Sequence, residues 1–407
     1  MNLSLFIAKR YFFSKSKASF ISLISRISMI SVGVEVMALI LILSVFNGLE
    51  SFQKGLFKTF DPDLRIMSSE QQAFQLTNQQ LNEIRAISGI QFVNPVLEDQ
   101  GLLRFNQKQL VVRFKGVDST FLAANRLKNQ VVEGDYYLGD STNAFAMVGI
   151  GVFLGMGMSF ENTVEPIQAW YPDHNRLRRF ALSENTIRSQ VFFPSAVLEV
   201  EQNFDNQTVI VPLTWMEGLM DRPGLRSAYE IILDAKANDV KVKGQLTQLL
   251  GKDFVIQTRD EQHALLLKAI KIEKLFVFLI MAFVMGIASF TLFYSLSLLV
   301  IEKRKDLRSL MALGIKPGQL LRSFLYLGLL ISFSGALVGM FLGFSLAWAQ
   351  QQFGIVSLGI PNALIDAYPI QMDPMDFVWT GLAVVIITFI ASIFPARKAV
   401  QLTFDIK

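Results

Sequence analysis

The chain has 407 residues, of which 52% are hydrophobic and only 18% are charged, and its formal net charge is +4. Soluble domains carry about 25% charged residues, so this composition excludes a protein that is surrounded by water alone. The chain has no cysteine, which excludes disulfides, thiolate metal sites and a cysteine nucleophile.

Residues 1–26 predict a cytoplasmic amphipathic segment, whose basic residues interrupt the apolar run that a cleavable signal peptide would need. Residues 27–47 predict the first transmembrane helix, although they include Glu35. An acidic residue at mid-membrane costs roughly 2.5–3.5 kcal/mol, which the apolar run from Met37 to Phe46 offsets. Glu35 either pairs or meets water at a functional site, or is tolerated as a protonated or snorkelling side chain.

Residues 48–274 form a segment long enough for a separate periplasmic domain. Its patterns predict an α+β fold, with either one or two subdomains. The predicted elements are a helix at 76–87, two strands in 101–117 about a turn at 106–108, strands at 209–212 and 229–233, and a helix at 240–250. From Gln257 the pattern predicts a helix that runs directly into the second span.

Glycines recur at 149, 151, 155 and 157, after a short strand. We interpret them as a strand-to-helix turn rather than a phosphate-binding loop, because no Lys-Ser/Thr pair and no suitably spaced acidic residue follows. Gly251-Lys252 likewise lacks the spacing of a nucleotide-binding loop. His174 and His263 lie far apart in the sequence, so we expect no metal site.

The segment from Trp170 to Phe180 combines aromatic residues with arginines in a predicted loop. These residue types are enriched in protein interfaces, so the segment is a candidate binding loop. The alternative is a structural loop whose aromatic side chains fold back into the core. The candidate contact residues are Trp170, Tyr171, Pro172 and Arg176.

Three further segments are long and apolar enough to cross a bilayer, at 275–301, 319–349 and 377–396. They are separated by a link at 302–318 and a periplasmic loop at 350–376, and followed by a tail at 397–407. Gly335, Gly339 and Gly343 repeat every four residues, which allows close helix approach. We expect packing within the subunit first, with dimerisation as the alternative.

Basic residues are concentrated before the first span, in the 302–318 link and in the tail, whereas the 350–376 loop has no basic residue and three acidic ones. Basic residues stay on the cytoplasmic side of membranes, so both termini are predicted to be cytoplasmic. The net positive charge is therefore a topology signal, and it implies no nucleic-acid partner.

The link between the second and third spans predicts a short amphipathic helix. Leu307, Leu310, Met311 and Gly314 follow helical spacing. Charged residues occupy the other face, and they include Glu302, Lys303, Arg304 and Asp306. The helix is either a basic topology anchor or a coupling helix that docks in a groove on a cytoplasmic motor.

The run EKRKDLRSLMALG (302–314) resembles the cytoplasmic helix of FtsX-like ABC permeases. The start of the chain, including Asn47-Gly48, the run QTRDEQHALLLKAIKIEKL (257–275) and the closing Pro395–Lys398 resemble lipoprotein-releasing (Lol-type) permeases of the FtsX-like/MacB-type family. Four spans with a large domain after the first are also that family's layout.

The resemblance implies an α-helical membrane protein of the cell inner membrane, with four transmembrane helices and a large α+β extracytoplasmic domain. It implies a permease subunit that is not itself an enzyme and holds no cofactor, since ATP and Mg would bind a partner ABC ATPase. A second permease subunit, either identical or a sister protein, would complete the transporter. Lipoprotein cargo would leave the membrane for a periplasmic carrier.

The resemblance also implies site residues. The first two spans of such permeases form a cavity for membrane lipid and cargo, and Met37, Leu41, Val45 and Phe46 are the residues expected near it. Glu35 is expected near the same cavity, although such permeases typically have a small or apolar residue at this position. The Trp170 segment falls where one family member binds its carrier.

The sequence leaves other functions open. One is a mechanotransmission-type ABC permease that serves efflux or activates a cell-wall hydrolase. Another is a membrane enzyme or receptor, although no Ser-His-Asp set, carboxylate pair, metal-ligand spacing or kinase-like domain supports either.

Overall fold

A computed structural model of the protein describes residues 3–13, 20–139, 144–160, 166–172, 187–357 and 367–404. The chain forms two compact units. The helical unit consists of Met1–Phe52 and Leu265–Lys407, and the sheet unit consists of Gln53–Ala264.

The described helices, in chain order, are α1 (Leu3–Phe12), α2 (Phe20–Phe60), α3 (Asn78–Arg85), α4 (Ser119–Ala124), α5 (Ile150–Met156), α6 (Gln202–Gln207), α7 (Leu213–Met220), α8 (Asp239–Leu250), α9 (Arg259–Gln262), α10 (Ala264–Glu302), α11 (Arg304–Ala312), α12 (Pro317–Phe353) and α13 (Pro374–Phe404). The described strands are β1 (Leu64–Ser68), β2 (Ile90–Phe105), β3 (Lys108–Val117), β4 (Val131–Gly134), β5 (Phe145–Gly149), β6 (Ile167–Pro172), β7 (Ile187–Leu198), β8 (Thr208–Pro212), β9 (Ala228–Leu233) and β10 (Phe254–Thr258).

Within the described residues, four helices are long and apolar enough to cross a membrane, namely α2, α10, α12 and α13. This confirms the four predicted transmembrane helices. The helices are longer than the apolar runs: α2 has 41 residues and α10 has 39. Since about 20 helical residues span the hydrocarbon core, both helices continue well beyond their apolar segments.

The glycines of α12 pack against α2. A Cβ atom at Gly335 would lie 2.4 Å from the carbonyl oxygen of Met29, and one at Gly339 would lie 2.2 Å from that of Gly33. At Gly343 the nearest atom, 3.2 Å away, belongs to Ile40. Only glycine allows the two backbones to approach this closely. The prediction that the glycines serve packing within the subunit is confirmed.

The sheet unit contains a mixed sheet. Its described strands run in the order β10-β1-β9-β2-β3-β8-β5-β7-β4, and β6 pairs with β2 and β7. The pairs β3–β8 and β5–β7 are parallel and the others are antiparallel. Buried clusters flank the sheet, one against α5 and α7 and another against α3 and α8. The predicted α+β fold is confirmed.

Several local predictions for this unit are confirmed. Helix α3 begins with a capping box in which Thr77 and Gln80 bond each other's backbone N–H groups. Strands β2 and β3 join at a two-residue turn in which Asn106 has φ +53°, although β2 starts at Ile90, earlier than predicted. The glycine-rich run is a strand-to-helix turn, with Gly149 before α5 and Gly157 in the left-handed region after it.

The predicted continuous helix from Gln257 into the second span is wrong. Gln257 and Thr258 belong to β10, which pairs with β1, and Thr258 caps the short helix α9. His263 then interrupts the helix before α10 begins. Its ring stacks on Phe57 at 3.7 Å and its Nε2 lies 2.5 Å from Asp61 Oδ2. Strand pairing and these side-chain contacts override the helical periodicity.

Candidate functional site

Helix α11 is the short amphipathic helix that the sequence predicts. Leu307 is fully buried and Leu310 half-buried, within a cluster that also contains Leu296, Phe324 and Ala399 of the spans. Lys303 precedes the helix and its Nζ lies 3.4 Å from Asp306 Oδ2. After the helix, Gly314 adopts φ +87°, a conformation that favours glycine.

The predicted apolar stripe of α11 is divided between two environments. Leu307 packs into the helical unit and is unavailable to a partner. Met311 is 39% exposed and Leu313, which follows the helix, is 84% exposed. Most of the charged residues that share this exposed surface are basic, namely Arg304, Lys305 and Arg308, and Glu302 and Asp306 are exposed acidic residues beside them. A partner would therefore contact Met311, Leu313 and the charged residues beside them.

Helix α1 forms a groove with α11. The groove has a volume of about 510 Å³ and is lined mainly by apolar side chains. Two charged residues, Arg10 and Asp306, also line it. The hydroxyl of Ser4 donates a hydrogen bond of 2.8 Å to the backbone oxygen of Gln319, which ties α1 to the start of α12. The apolar lining residues are Leu3, Phe6, Ile7, Tyr11, Leu310, Leu313 and Ile315. The sequence predicts amphipathic character for this segment but not its pairing with α11.

The residues expected near the lipid cavity lie on α2 and are all half-buried. Met37, Leu41 and Val45 are four residues apart and follow one side of the helix, whereas Glu35 and Phe46 lie on a different side. The structure therefore does not bring the five residues to a single surface. Within the described residues, Oε2 of Glu35 is buried without a hydrogen-bond partner. The role of Glu35 stays a prediction.

The prediction that Trp170, Tyr171 and Pro172 lie in a loop is wrong, because all three belong to β6. Tyr171 is 2% exposed and its hydroxyl donates a hydrogen bond of 2.7 Å to Asp99. Burial and the neighbouring Asp99 carboxylate raise the pKa of this hydroxyl. Tyr171 is thus a core residue. Arg176 lies outside the described residues.

Trp170 points to the opposite surface of the sheet, since side chains alternate along a strand. In register, Val111, Leu102, Trp170 and Ser189 form a row across β3, β2, β6 and β7. Arg104 places its guanidinium carbon 5.1 Å from the centre of the Trp170 ring. We call this surface the Trp170 face. It is formed by residues 109, 111 and 113 of β3, 100, 102 and 104 of β2, 168, 170 and 172 of β6, and 187, 189 and 191 of β7, and none of these twelve residues is acidic.

A row of charged residues crosses the sheet beyond the Trp170 face. Arg65 pairs with Glu98, and Lys115 Nζ lies 2.7 Å from Glu230 Oε1. Burial disfavours the charged form of Glu98, but Arg65, Lys115 and Arg113 outweigh it and lower its pKa. Because each charge has a partner, these residues are suited to holding neighbouring strands together rather than to acid–base chemistry.

A network that the sequence analysis missed lies in the helical unit, at the end opposite α11. It joins Asn47, Lys274 and Asp376 of three different spans. In the sequence, only the Asn47-Gly48 pair, which resembles the family pattern, draws attention to one of these three residues. Nothing in the sequence distinguishes Lys274 from Lys268 and Lys271 on the same helix.

No group of three or more potential ligands is placed to hold a metal ion within the described parts of the chain. The His263 ring stacks on Phe57 and its Nε2 hydrogen-bonds with Asp61. His174 lies outside the described parts of the chain.

The chain is similar to known permeases and to transmembrane proteins of lipoprotein-releasing systems. The FtsX-like permease C-terminal family matches residues 278–404. The lipoprotein-releasing system transmembrane protein LolE of Haemophilus influenzae is 24% identical over 424 aligned positions, which cover 99% of this chain and 98% of LolE. The corresponding LolC protein of Xylella fastidiosa is 23% identical and covers 98% of this chain and 97% of LolC.

The solved structures with partial similarity include a periplasmic region and an extracellular domain. The periplasmic region of MacB from Actinobacillus actinomycetemcomitans is 14% identical, has a TM-score of 0.36, and covers 50% of this chain and 91% of that region. The extracellular domain of YknZ is 11% identical, has a TM-score of 0.33, and covers 48% of this chain and 99% of that domain.

Four membrane-spanning helices, a large α+β unit after the first span and an FtsX-like domain over residues 278–404 agree with the full-length similarity to LolE and LolC. The chain therefore carries an FtsX-like permease domain over residues 278–404, and over nearly its whole length it is similar to the transmembrane proteins of lipoprotein-releasing systems.

Proposed function

We propose that the chain is the permease subunit of an inner-membrane ABC transporter that releases lipoproteins to a periplasmic carrier. The observation that carries this proposal is the similarity to LolE and LolC, which covers 98–99% of the chain and so includes both the spans and the sheet unit. A protein that shared only the C-terminal permease domain would not match over the sheet unit as well.

In this proposal α11 couples the permease to a partner ATPase, which binds ATP and Mg and hydrolyses the ATP. The exposed Met311 and Leu313, with basic residues around them, support such a contact. Leu307 and Leu310 fix α11 to the ends of the spans. A displacement of α11 by the partner would therefore be transmitted directly to α10 and α12.

The proposed arrangement places both termini in the cytoplasm and the sheet unit in the periplasm. A second permease subunit, identical or a sister protein, would pair with this one. The cavity for lipid and cargo would include Met37, Leu41 and Val45 of α2. The Trp170 face, which has apolar and basic but no acidic residues, would contact the soluble carrier.

The proposal is tested by purifying the tagged full-length chain from membranes in a mild detergent and identifying the proteins that accompany it. We expect a P-loop ATPase together with diacylated lipoproteins. An ATPase without lipoproteins would favour the mechanotransmission alternative. Recovery of no ATPase would overturn the proposal.

The coupling contact is tested with Leu313→Asp in the same purification. We expect this variant to lose most of the ATPase, because a carboxylate would replace an apolar contact on a surface that the partner buries. Ile355→Asp is the matched control, since Ile355 is 68% exposed and lies just beyond the other end of α12. Equal ATPase recovery from the two variants would show that this surface at α11 does not contact the ATPase.

The carrier contact is tested with Trp170→Ala. A soluble carrier should bind this variant at least tenfold more weakly, as expected when an aromatic residue central to an interface is truncated. Leu154→Ala is the control, because Leu154 is 67% exposed on α5 and lies outside the Trp170 face. Unchanged binding to Trp170→Ala would exclude this surface.

A further inference from the structure

A polar network joins three of the four spans at the end of the helical unit opposite α11. The Lys274 ammonium of α10 donates to Asn47 Oδ1 of α2 at 2.7 Å and to Asp376 Oδ2 of α13 at 3.1 Å. Asn47 Nδ2 donates to the same Asp376 oxygen at 2.7 Å. Each of the three side chains therefore contacts the other two.

Helices α2, α12 and α13 are held together at this end by other contacts as well. The backbone N–H of Gln371, just before α13, donates to the Ser44 carbonyl of α2 at 3.0 Å. A Cβ atom at Gly48 would lie 2.2 Å from the Pro369 carbonyl, so this segment lies directly on α2. The side-chain amide nitrogen of Gln350 on α12 donates to the Val356 carbonyl at 2.9 Å and to the Tyr368 carbonyl at 3.3 Å, and Tyr368 belongs to the segment that leads into α13. None of these contacts involves α10.

The half of α10 that contains Lys274 is weakly packed. No residue of α10 between Leu267 and Met285 is buried, and Phe276 and Phe283 are 61% and 70% exposed. Phe278 and Met281 reach the central cluster only as partly buried residues. The other half is firmly anchored, by the buried residues Leu292, Ser295, Leu296, Leu299 and Val300.

Polar contacts decide whether such a half-helix stays in place. Apolar helix surfaces gain little by leaving lipid for another apolar surface, whereas hydrogen bonds between helices are directional and either made or broken. Lys274 immediately precedes the apolar run of α10. If the network opened, the separated charges would therefore meet water and headgroups at the interface, rather than hydrocarbon.

We propose that Asn47, Lys274 and Asp376 form a releasable lock that holds the outer half of α10 against α2 and α13. When the lock is closed, the four spans form one bundle. When it opens, the outer half of α10 swings away from α2 while its inner half stays anchored, and acyl chains can enter between them. The identity of those chains as the anchor of a lipoprotein rests on the proposed function.

The lock is tested by distance measurements with pairs of spin labels on the full-length chain in lipid nanodiscs. The chain has no cysteine of its own, so labels attach only at introduced positions. Labels at Phe276→Cys on α10 and Val378→Cys on α13 measure the distance between the outer halves of these helices, and both side chains are 61% exposed, so a label fits at each. Ile301→Cys with Phe394→Cys, at 54% and 60% exposure, reports on the inner half.

Lys274→Met should lengthen and broaden the outer distance and leave the inner distance unchanged. Lys271→Met is the matched control, since Lys271 is an exposed lysine on the same helix, and it should change neither distance. The double variant Lys274→Asp with Asp376→Lys should restore the short distance, because the Asn47 amide can donate or accept. An unchanged outer distance in Lys274→Met, or a change in both distances, would overturn the lock.

Entry of acyl chains is tested separately. A bimane fluorophore at Phe278→Cys, in nanodiscs that contain doxyl-labelled phosphatidylcholine, should be quenched more strongly in the Lys274→Met background. Equal quenching with and without Lys274→Met would exclude lipid entry. Neither measurement requires the ATPase or the cargo, so failure of the lock and failure of the proposed function give different results.

Discussion

At Gly339 a single hydrogen in place of a side chain determines how two spans meet. The space that a Cβ atom would occupy is 2.2 Å from a backbone oxygen of α2, and backbone atoms cannot move aside as a flexible side chain can. The four-residue spacing of the glycines predicts a close contact, but it does not say which helix makes it.

We expect Gly339→Ala to destabilise the helical unit by about 1–3 kcal/mol, the usual range for overpacking. The measurement is unfolding of the full chain by SDS, compared with Gly286→Ala. A Cβ atom at Gly286 would meet nothing within 4 Å, and alanine favours helix formation, so this control should be neutral or stabilising. Two equal losses would contradict the packing described here.

Asp205 is a buried acid that sequence patterns do not reveal. It is 7% exposed, and its carboxylate accepts hydrogen bonds from the Val200 N–H at 2.9 and 3.2 Å. Burial raises its pKa to about 6, although these hydrogen bonds oppose the shift. Such burial depends on contacts with distant parts of the chain, which local sequence does not encode.

The raised pKa of Asp205 gives a pH dependence of stability. The unfolded chain releases this proton near pH 4, whereas the folded chain keeps it to about pH 6. The stabilisation by the bound proton is therefore complete below about pH 4 and is lost as the pH rises to about 6. Asp205→Asn should remove this slope and raise the free energy of unfolding at pH 7 by about 2 kcal/mol.

Denaturant titrations of the full chain at several pH values measure this effect. Asp253→Asn serves as the control, because Asp253 is exposed and the substitution should leave the slope intact. A wild-type free energy of unfolding that does not fall between pH 4 and pH 6 relative to Asp205→Asn would contradict the prediction.

At the scale of elements, apolar length and periodicity predict the spans, α3, α8, α11 and the β2–β3 hairpin. The same patterns fail where tertiary contacts decide. Gln257 and Thr258 fit a helix but pair with β1 as a strand, and Tyr171 fits an exposed loop but packs beside Asp99. For α11, the sequence predicts an apolar stripe but not that Leu307 faces the spans while Leu313 stays exposed.

The β2–β3 turn allows a direct test of backbone conformation. Asn106 has φ +53°, so Asn106→Gly should be neutral or slightly stabilising. Asn106→Val should lower the free energy of unfolding by about 1–2 kcal/mol, since a branched side chain is strained in the left-handed region. Gln107→Val, in the same exposed turn, should cost less. Denaturant titration measures all three, and equal costs for the two valine variants would contradict the turn geometry.

At the scale of the whole molecule, the distribution of basic residues predicts orientation, and neither the fold nor the family similarity tests it. In spheroplasts, a membrane-impermeant maleimide should label Met375→Cys directly and Leu313→Cys only after permeabilisation. Both side chains are exposed, at 55% and 84%, and the chain has no other cysteine. Labelling of Leu313→Cys in intact spheroplasts would reverse the predicted topology.

The contact between Gly33 and Gly339 also has a consequence for biosynthesis. A ribosome adds about 5–20 residues per second, so roughly 15–60 s separate the synthesis of these two glycines at that rate. During this interval α2 stays in the membrane without its glycine partner, while all residues of the sheet unit leave the ribosome. Folding of the sheet unit can therefore finish before its first membrane anchor has packed, and a premature stop before α12 would leave a folded outer domain on an incomplete bundle.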